Sequence, residues 1–280
     1  MKVLAVLFIL TCSTTPVLAQ RDSATDRFNS RFSVFHPVPR ALMREEMETD
    51  RPDITESPVT VDAGHFQLEA DLVKLKRSRD GESGNRQMLL APLTAKIGLT
   101  HSIDFQVAVE TFRHEVKTED GNKPQRYDAC GSVTLRLKKN FYGNDDGKFA
   151  IAALPYIKLP SDKHFEHHLI EGGMIIPMRW KLSEKWTLGV QEEVDYVAEE
   201  RGYDWQLLQS IAADYKITKS LKSMIETYAT YGIREHHMEN YINVALQLSV
   251  LKNLAVDIGS IQGFQKHTEH QYYAGFAVRL

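Results

Sequence analysis

The sequence has 280 residues, a formal net charge of −3 and a mean hydropathy of −0.34. The charge is small and no basic stripe appears, which argues against a nucleic-acid partner. No segment after the N-terminus offers the roughly 18 consecutive apolar residues of a membrane helix. Composition does not separate a soluble β protein from a transmembrane barrel, because alternate residues of a barrel face lipid and a polar lumen.

The N-terminus has the pattern of a secretory signal peptide over residues 1–19. A lysine precedes an apolar run over residues 3–10, and small or apolar residues before Gln20 predict cleavage after Ala19. Cys12 leaves lipoprotein processing open as an alternative, although the two residues before it suit lipid attachment poorly. We therefore expect an exported protein.

The next segment, residues 20–63, predicts an irregular arm. It is polar, contains four prolines and lacks sustained alternation. A short helix is expected around residues 41–47. We expect the arm in the periplasm or in a barrel lumen, with a disordered leader as the alternative.

From residue 64 onward, apolar and polar residues alternate with period two. The final stretch, for example, sets Tyr272, Phe276 and Val278 against Tyr273 and Arg279. Such alternation is typical of strands with one apolar face. It predicts about twelve strands, over residues 64–75, 87–99, 103–113, 129–139, 148–159, 168–181, 185–197, 204–217, 221–233, 240–251, 254–264 and 270–280.

The connections between these strands alternate in length. Tight turns are predicted at 100–102, 183–184, 218–220 and 252–253, and the 140–147 segment is longer than a tight turn. Longer polar loops are predicted near 76–86, 114–128, 160–167, 198–203, 234–239 and 265–269. A soluble sandwich would not be expected to keep this rhythm. The sequence predicts an all-β fold, a single transmembrane antiparallel up-and-down β-barrel of about 12 strands over residues 64–280.

Two polar residues interrupt the predicted lipid face. Glu192 falls in register with Val190 and Val194, and Gln209 falls in register with apolar neighbours. Either a bulge shifts the register there or these residues lie near a membrane interface.

Five sequence stretches carry a resemblance to a known family: DRPDITESP at 50–58, GHFQLE at 64–69, IGLTHSID at 97–104, LPYIKLP at 154–160 and EGGMIIP at 171–177. Over residues 50–280 the chain resembles a family of bacterial outer-membrane barrel transporters related to the meta-pathway of phenol degradation. The resemblance implies an outer-membrane barrel with a transport role. It supplies no catalytic residues.

Charged residues on the predicted inward face, together with those of the arm, are the candidate functional residues. In a small barrel such groups must pair or contact water. The arm could fold into the lumen, with Arg51 pairing a luminal carboxylate. The lumen and plug candidates are Arg51, Asp53, Glu56, Glu69, Asp71, Glu110, Arg136, Glu193, Asp195 and Arg279.

Histidines gather on the predicted long loops. A cluster at one rim would suit Zn²⁺ or Cu²⁺, but the spacing matches no metal motif, and polar loop filler is the favoured interpretation. His267 and His270 lie in or beside another of these loops. The residues of the candidate cluster are His164, His167, His168, His236 and His237.

Passive transport of small molecules, including aromatic or hydrophobic ones, across the outer membrane is the leading functional hypothesis. A closed structural or binding barrel is the alternative. A lipid-modifying enzyme is less favoured, because serines such as Ser210 and Ser223 lie in no motif. We expect no cofactor. The expected partners are outer-membrane lipid, a small solute and the barrel-assembly machinery, which would read the C-terminal strand at 270–280.

Overall fold

The computed structural model describes residues 31–280 except 81–82, 120–122, 146, 161–168, 200–201, 235 and 266. The predicted signal peptide lies outside the described residues. No helix within them is both long and apolar enough to cross a membrane. In chain order the structure contains a 3-10 turn, Arg40–Leu42, and the strands β1 (Phe66–Asp80), β2 (Ser83–Leu90), β3 (Leu93–Thr100), β4 (Ile103–Val109), β5 (Phe112–Thr118), β6 (Gln125–Ala129), β7 (Val133–Tyr142), β8 (Phe149–Leu159), β9 (Glu171–Lys181), β10 (Trp186–Glu199), β11 (Gly202–Lys216), β12 (Leu221–Gly232), β13 (His237–Leu251), β14 (Leu254–Gly263) and β15 (His270–Arg279).

The strands form one antiparallel sheet that closes into a barrel. Across the described residues, its wall consists of twelve strands, β1, β3, β4 and β7 to β15, and pairing of β15 with β1 completes the circle. At the seam, the Leu280 backbone N donates to Phe66 O at 2.9 Å. The predicted all-β barrel is confirmed.

Three further strands, β2, β5 and β6, prolong the barrel wall beyond its long-loop end. β2 pairs with the second half of β1 and with β5, which pairs with β6. The loops predicted at 76–86 and 114–128 are therefore wrong over most of their length. Polar residues occupy both faces of these extensions, so alternation is weak, but main-chain pairing needs no apolar face.

The wall strands next to the extensions are interrupted at one level. The breaks fall at 91–92, 110–111 and 130–132 in three neighbouring strand pairs. Ala91 has a positive φ of 50°, and Pro92 after it has no N–H for a ladder bond. Across the break, the Gly131 backbone N donates to Glu110 O at 2.8 Å. We call this interrupted level of the wall, at 91–92, 110–111 and 130–132, the crease. Main-chain hydrogen bonds cross it although the strands stop there.

The apolar face of the alternating pattern points outward. Gln106, between Phe105 and Val107, is completely buried in the barrel interior. Gln209 and Glu192 pair directly across β10 and β11 in unbroken register. The Gln209 amide donates to the Glu192 carboxylate at 2.8 and 3.1 Å. No bulge is present there, and the two polar groups satisfy each other on the outer face.

The arm before β1 is extended instead of helical. The helix predicted around 41–47 is wrong, and only the 3-10 turn at Arg40–Leu42 forms. Beyond that turn, arm side chains bond to the barrel and to the returning chain. The Arg44 guanidinium, for example, donates to Thr60 O at 2.5 Å. Such contacts compete with helical main-chain bonding.

Candidate functional site

The arm enters the barrel at the tight-turn end and returns to the same end. The arm and the barrel belong to one compact unit, Phe32–Leu280. At the mouth, the Val34 backbone N donates to Leu99 O at 2.8 Å. Residues 48–57 contact the luminal side of the wall, and residues 58–63 lead back to β1. The returning limb lies so close to β3 that a Cβ at Gly98 would overlap main-chain carbonyl groups of the arm.

The luminal side is polar because every second residue of each strand points inward. Inward side chains that are almost fully buried include Lys96, Lys138, Gln191, Glu226 and Asn243. Buried polar and charged groups are costly unless they are paired or hydrogen-bonded. The arm supplies these partners.

Asp50 of the arm lies between two buried lysines. Lys138 Nζ donates to Asp50 Oδ1 at 3.0 Å, and Lys96 bonds to both Asp50 and Glu69. Burial opposes ionisation of Asp50, but the two ammonium groups prevail and hold its pKa well below the usual range. Asp50 is therefore a charged anchor of the arm.

Arg51 connects opposite sides of the closing seam. Its guanidinium forms an ion pair with Asp71 of β1 at 2.7 Å. It also donates two hydrogen bonds to the Asp257 carboxylate of β14, at 2.7 and 3.1 Å. Next along the arm, Pro52 O accepts a bond from the Tyr273 hydroxyl at 2.9 Å. Because a two-bond guanidinium–carboxylate contact fixes orientation, Arg51 positions the tip of the arm.

Glu226 of β12 holds the arm by its main chain. Its carboxylate accepts bonds from the backbone N of Ile54 at 2.9 Å and of Thr55 at 2.7 Å. The Thr55 hydroxyl and the Asn243 amide donate to it as well, at 2.6 and 2.9 Å. One buried carboxylate therefore satisfies three donors of the arm.

Glu56 connects the arm to β7 and β10 of the barrel wall. The Arg136 guanidinium donates to Glu56 Oε1 at 2.5 Å, and the Glu56 backbone N donates to Gln191 Oε1 at 2.8 Å. Burial and the nearby charge of Asp50 raise the pKa of Glu56 to about 7, despite Arg136. Protonation of this carboxyl is thus expected near neutral pH.

A cavity of about 320 Å³ lies beside the tip of the arm, against the creased part of the wall. Asp50, Arg51, Asp53 and Glu56 of the arm line part of it. Wall residues that line it include Lys74, Pro92, Leu93, Val109, Glu110, Arg136 and Lys158. The cavity therefore combines charged groups with a short apolar stretch.

Asp53 of the arm lines this cavity with a carboxyl group that is incompletely hydrogen-bonded. Its buried Oδ1 has no hydrogen-bond partner among the described residues. Burial and the charge of Asp214 raise the pKa of Asp53 well above its usual range. A neutral carboxyl here offers a hydrogen bond to a polar solute.

The structure brings six of the ten predicted lumen and plug residues together at the tip of the arm: Arg51, Asp53, Glu56, Glu69, Asp71 and Arg136. The other four have partners outside that group. Arg279 pairs with Asp62 at 3.2 Å, and Glu110 pairs with Arg113. Asp195 accepts a bond from the Tyr156 hydroxyl at 2.6 Å, and Glu193 accepts one from Gln191 at 2.8 Å.

Sequence reasoning missed Asp50, Lys96 and Asp257 as site residues. The signal for two of them was present, since Lys96 and Asp257 each lie between outward apolar residues of an alternating strand. Asp50 had no such signal, because the arm has no regular period. Its role depends on which wall residues the folded arm meets.

The predicted histidine cluster is only partly described. His164, His167 and His168 lie outside the described residues. His236 Nδ1 lies 2.9 Å from the Tyr231 hydroxyl. His237 instead meets His267, with Nε2 atoms 3.0 Å apart.

A closed antiparallel barrel with an apolar outer face and a charged lumen defines the class of outer-membrane β-barrels. The family described as "Putative MetA-pathway of phenol degradation" matches residues 49–280. The chain belongs to this family. The match begins inside the arm, so the segment that fills the lumen is part of the family pattern.

Solved structures share the fold. The COG4313 outer membrane channel from Pseudomonas putida F1 has a TM-score of 0.61 at 10% identity, over 83% of this chain and 100% of that chain. The NanC porin has a TM-score of 0.50 at 12% identity, over 76% of this chain and 100% of that chain. No curated protein matches the sequence. The barrel fold therefore matches that of outer-membrane channels.

Proposed function

We propose that this protein passes small solutes passively across the bacterial outer membrane, through a lumen that the N-terminal arm keeps closed at its tight-turn end. The observation that carries the proposal is the polar cavity beside the tip of the arm, which remains although ion pairs such as Arg51 with Asp257 hold the arm in the lumen. A charged lumen lowers the desolvation cost of a polar solute.

Residues 1–19 act in this proposal as a signal peptide cleaved after Ala19, and the β15 region at 270–280 presents the assembly signal. The similarity to an outer membrane channel supports the location. Mature protein should fractionate with outer membranes and show heat-modifiable gel mobility. Recovery as a soluble periplasmic protein would contradict it.

The family description concerns phenol degradation, which makes small aromatic compounds the first solutes to test. The cavity suits a ring with a polar substituent, because Leu93 and Val109 lie on the same lining as Lys74 and Lys158. A polar group of the solute would meet the charges, and its ring would meet the apolar stretch.

The proposal does not include an enzymatic activity. Ser210, one of the two serines considered for such a role, is buried and its Oγ lies 2.6 Å from the Thr55 hydroxyl of the arm. The other, Ser223, bonds to Tyr215 O at 3.5 Å. Both hydroxyls therefore have structural partners.

A closed binding barrel is the second candidate, and the dense pairing of the arm favours it. Planar-bilayer conductance of the refolded chain, compared with a chain that begins at Asp62, separates the two. A transport barrel should conduct weakly with the arm and strongly without it. Glu46→Ala, which removes an exposed arm contact to Lys216 at the mouth, is the matched control and should behave as wild type. Silence of both barrels, with folding shown by gel mobility, would contradict transport.

A further inference from the structure

Two histidines and a glutamate converge at the long-loop rim, away from the lumen. His237 begins β13, Glu239 follows two residues later, and His267 lies between β14 and β15. The Nε2 atoms of the two histidines are 3.0 Å apart. Glu239 Oε1 lies 3.5 Å from His237 Nε2 and 3.7 Å from His267 Nε2. Three potential ligand atoms thus point at one small volume.

This spacing suits a transition metal. Zn²⁺ with bonds of about 2.0–2.1 Å places tetrahedral ligands about 3.3 Å apart. The three separations between the ligand atoms, 3.0, 3.5 and 3.7 Å, bracket that value. Two imidazoles and one carboxylate also form a common ligand set for this ion, and they leave a fourth position open.

Neighbouring bonds hold the ligands in place. The Tyr241 hydroxyl donates to Glu239 Oε2 at 2.5 Å, which leaves Oε1 facing the histidines. Gln265 ties the His267 loop to β13, because its side chain accepts from the Asn240 backbone N at 3.1 Å and donates to Met238 O at 3.2 Å. Outer bonds of this kind orient metal ligands and strengthen binding.

We propose that His237, Glu239 and His267 form a binding site for a divalent transition metal, with Zn²⁺ as the fitting ion. The site is open to the outside, since the side chains of His237 and His267 are 49% and 43% exposed. A bound ion ties the β14–β15 loop to the start of β13. The fourth position takes water or an external donor. The proposal does not depend on transport through the lumen.

Calorimetric titration of the refolded full chain with ZnCl₂ alone tests the site. We expect one saturable site in wild type and a loss of affinity of roughly tenfold or more in His237→Ala and in His267→Ala. Bound Co²⁺ gives a second measurement, since its visible absorption is intense only in a tetrahedral site. That absorption should appear in wild type and be lost in both variants.

Two controls separate this site from other histidines. His114→Ala removes an imidazole that contacts Asp128 at 2.6 Å on a different part of the wall, and it should leave Zn²⁺ binding unchanged. Replacing His164, His167 and His168 together should also leave it unchanged. Wild-type affinity in the double variant His237→Ala/His267→Ala, or absence of binding in wild type, would overturn the proposal.

Discussion

The wall charges that meet the arm differ from those that border only the cavity. Lys96, Lys138 and Asp257 bond to arm residues, and each is nine-tenths or more buried. Lys158 and Glu110 face the cavity, are more exposed, and pair with other wall residues. Inward charges of the same kind therefore hold a plug in one region and remain accessible to a solute in the other.

Removing Arg51 should break the plugged region most severely. Arg51→Ala leaves Asp71 and Asp257 buried without their cation, and we expect docking of the arm to weaken by about 3–5 kcal/mol. Limited proteolysis of the arm and bilayer conductance should both increase. Lys158→Ala, in the cavity region, should leave proteolysis of the arm unchanged. Adding Asp71→Asn and Asp257→Asn to Arg51→Ala should restore part of the protection; a fully protected arm in Arg51→Ala alone would contradict the anchor.

Glu226 should give the next largest effect. Glu226→Ala removes the acceptor of three arm donors. Because these hydrogen bonds are made to a buried carboxylate, we expect the free energy of unfolding to fall by about 2–3 kcal/mol. Urea unfolding in phospholipid vesicles measures it. Glu226→Gln should be milder, because one acceptor oxygen remains. Glu110→Ala is the matched change in the cavity region and should cost less than about 1 kcal/mol; equal losses at both positions would remove the distinction between the regions.

Docking of the arm should weaken as pH rises through neutrality. The pKa of Glu56 is about 7 in the docked arm against a usual 4.5, so the docked arm binds this proton more tightly. This stabilisation is complete below about pH 4.5, declines by up to about 1.4 kcal/mol per pH unit between pH 4.5 and 7, and is lost above pH 7. The urea concentration that exposes the arm to protease should therefore be higher at pH 6 than at pH 8. Glu56→Gln should reduce this difference, and a plug that is tighter at pH 8 would disprove the linkage.

The smallest effect on stability is expected in the cavity region, where function should change instead. Lys158→Glu replaces the ion pair with Glu171 by like-charge repulsion and should lower the free energy of unfolding by about 1 kcal/mol or less. In the barrel that begins at Asp62, it should shift ion selectivity toward cations, measured as a reversal potential across a salt gradient. Lys139→Glu makes the same change of charge near the tight turns and serves as the control. Unchanged selectivity in Lys158→Glu would show that the cavity is not on the path.

Alternation predicted the strands, because a strand with lipid outside and polar groups inside repeats every two residues, and the alternating lengths of the connections favoured a barrel over a sandwich. Alternation failed at β2, β5 and β6, where both faces are polar. It also could not pair Arg51 with Asp257, since the partners are 206 positions apart and depend on strand register. The arm's charges indicated that it would pair, while the choice of partners required the folded lumen.

The seam between β1 and β15 has a consequence for biogenesis. The arm precedes β1 in the chain, yet the wall around it is complete only when the final strand pairs with β1. His65, just before β1, reaches across this seam, with Nδ1 3.3 Å from Leu280 O. Both limbs of the arm pass through the same mouth. Either the arm lies within the curling sheet before β15 pairs with β1, or it is threaded into the closed barrel afterwards as a loop. A disulfide that joins β1 to β15 early in assembly would distinguish these two orders.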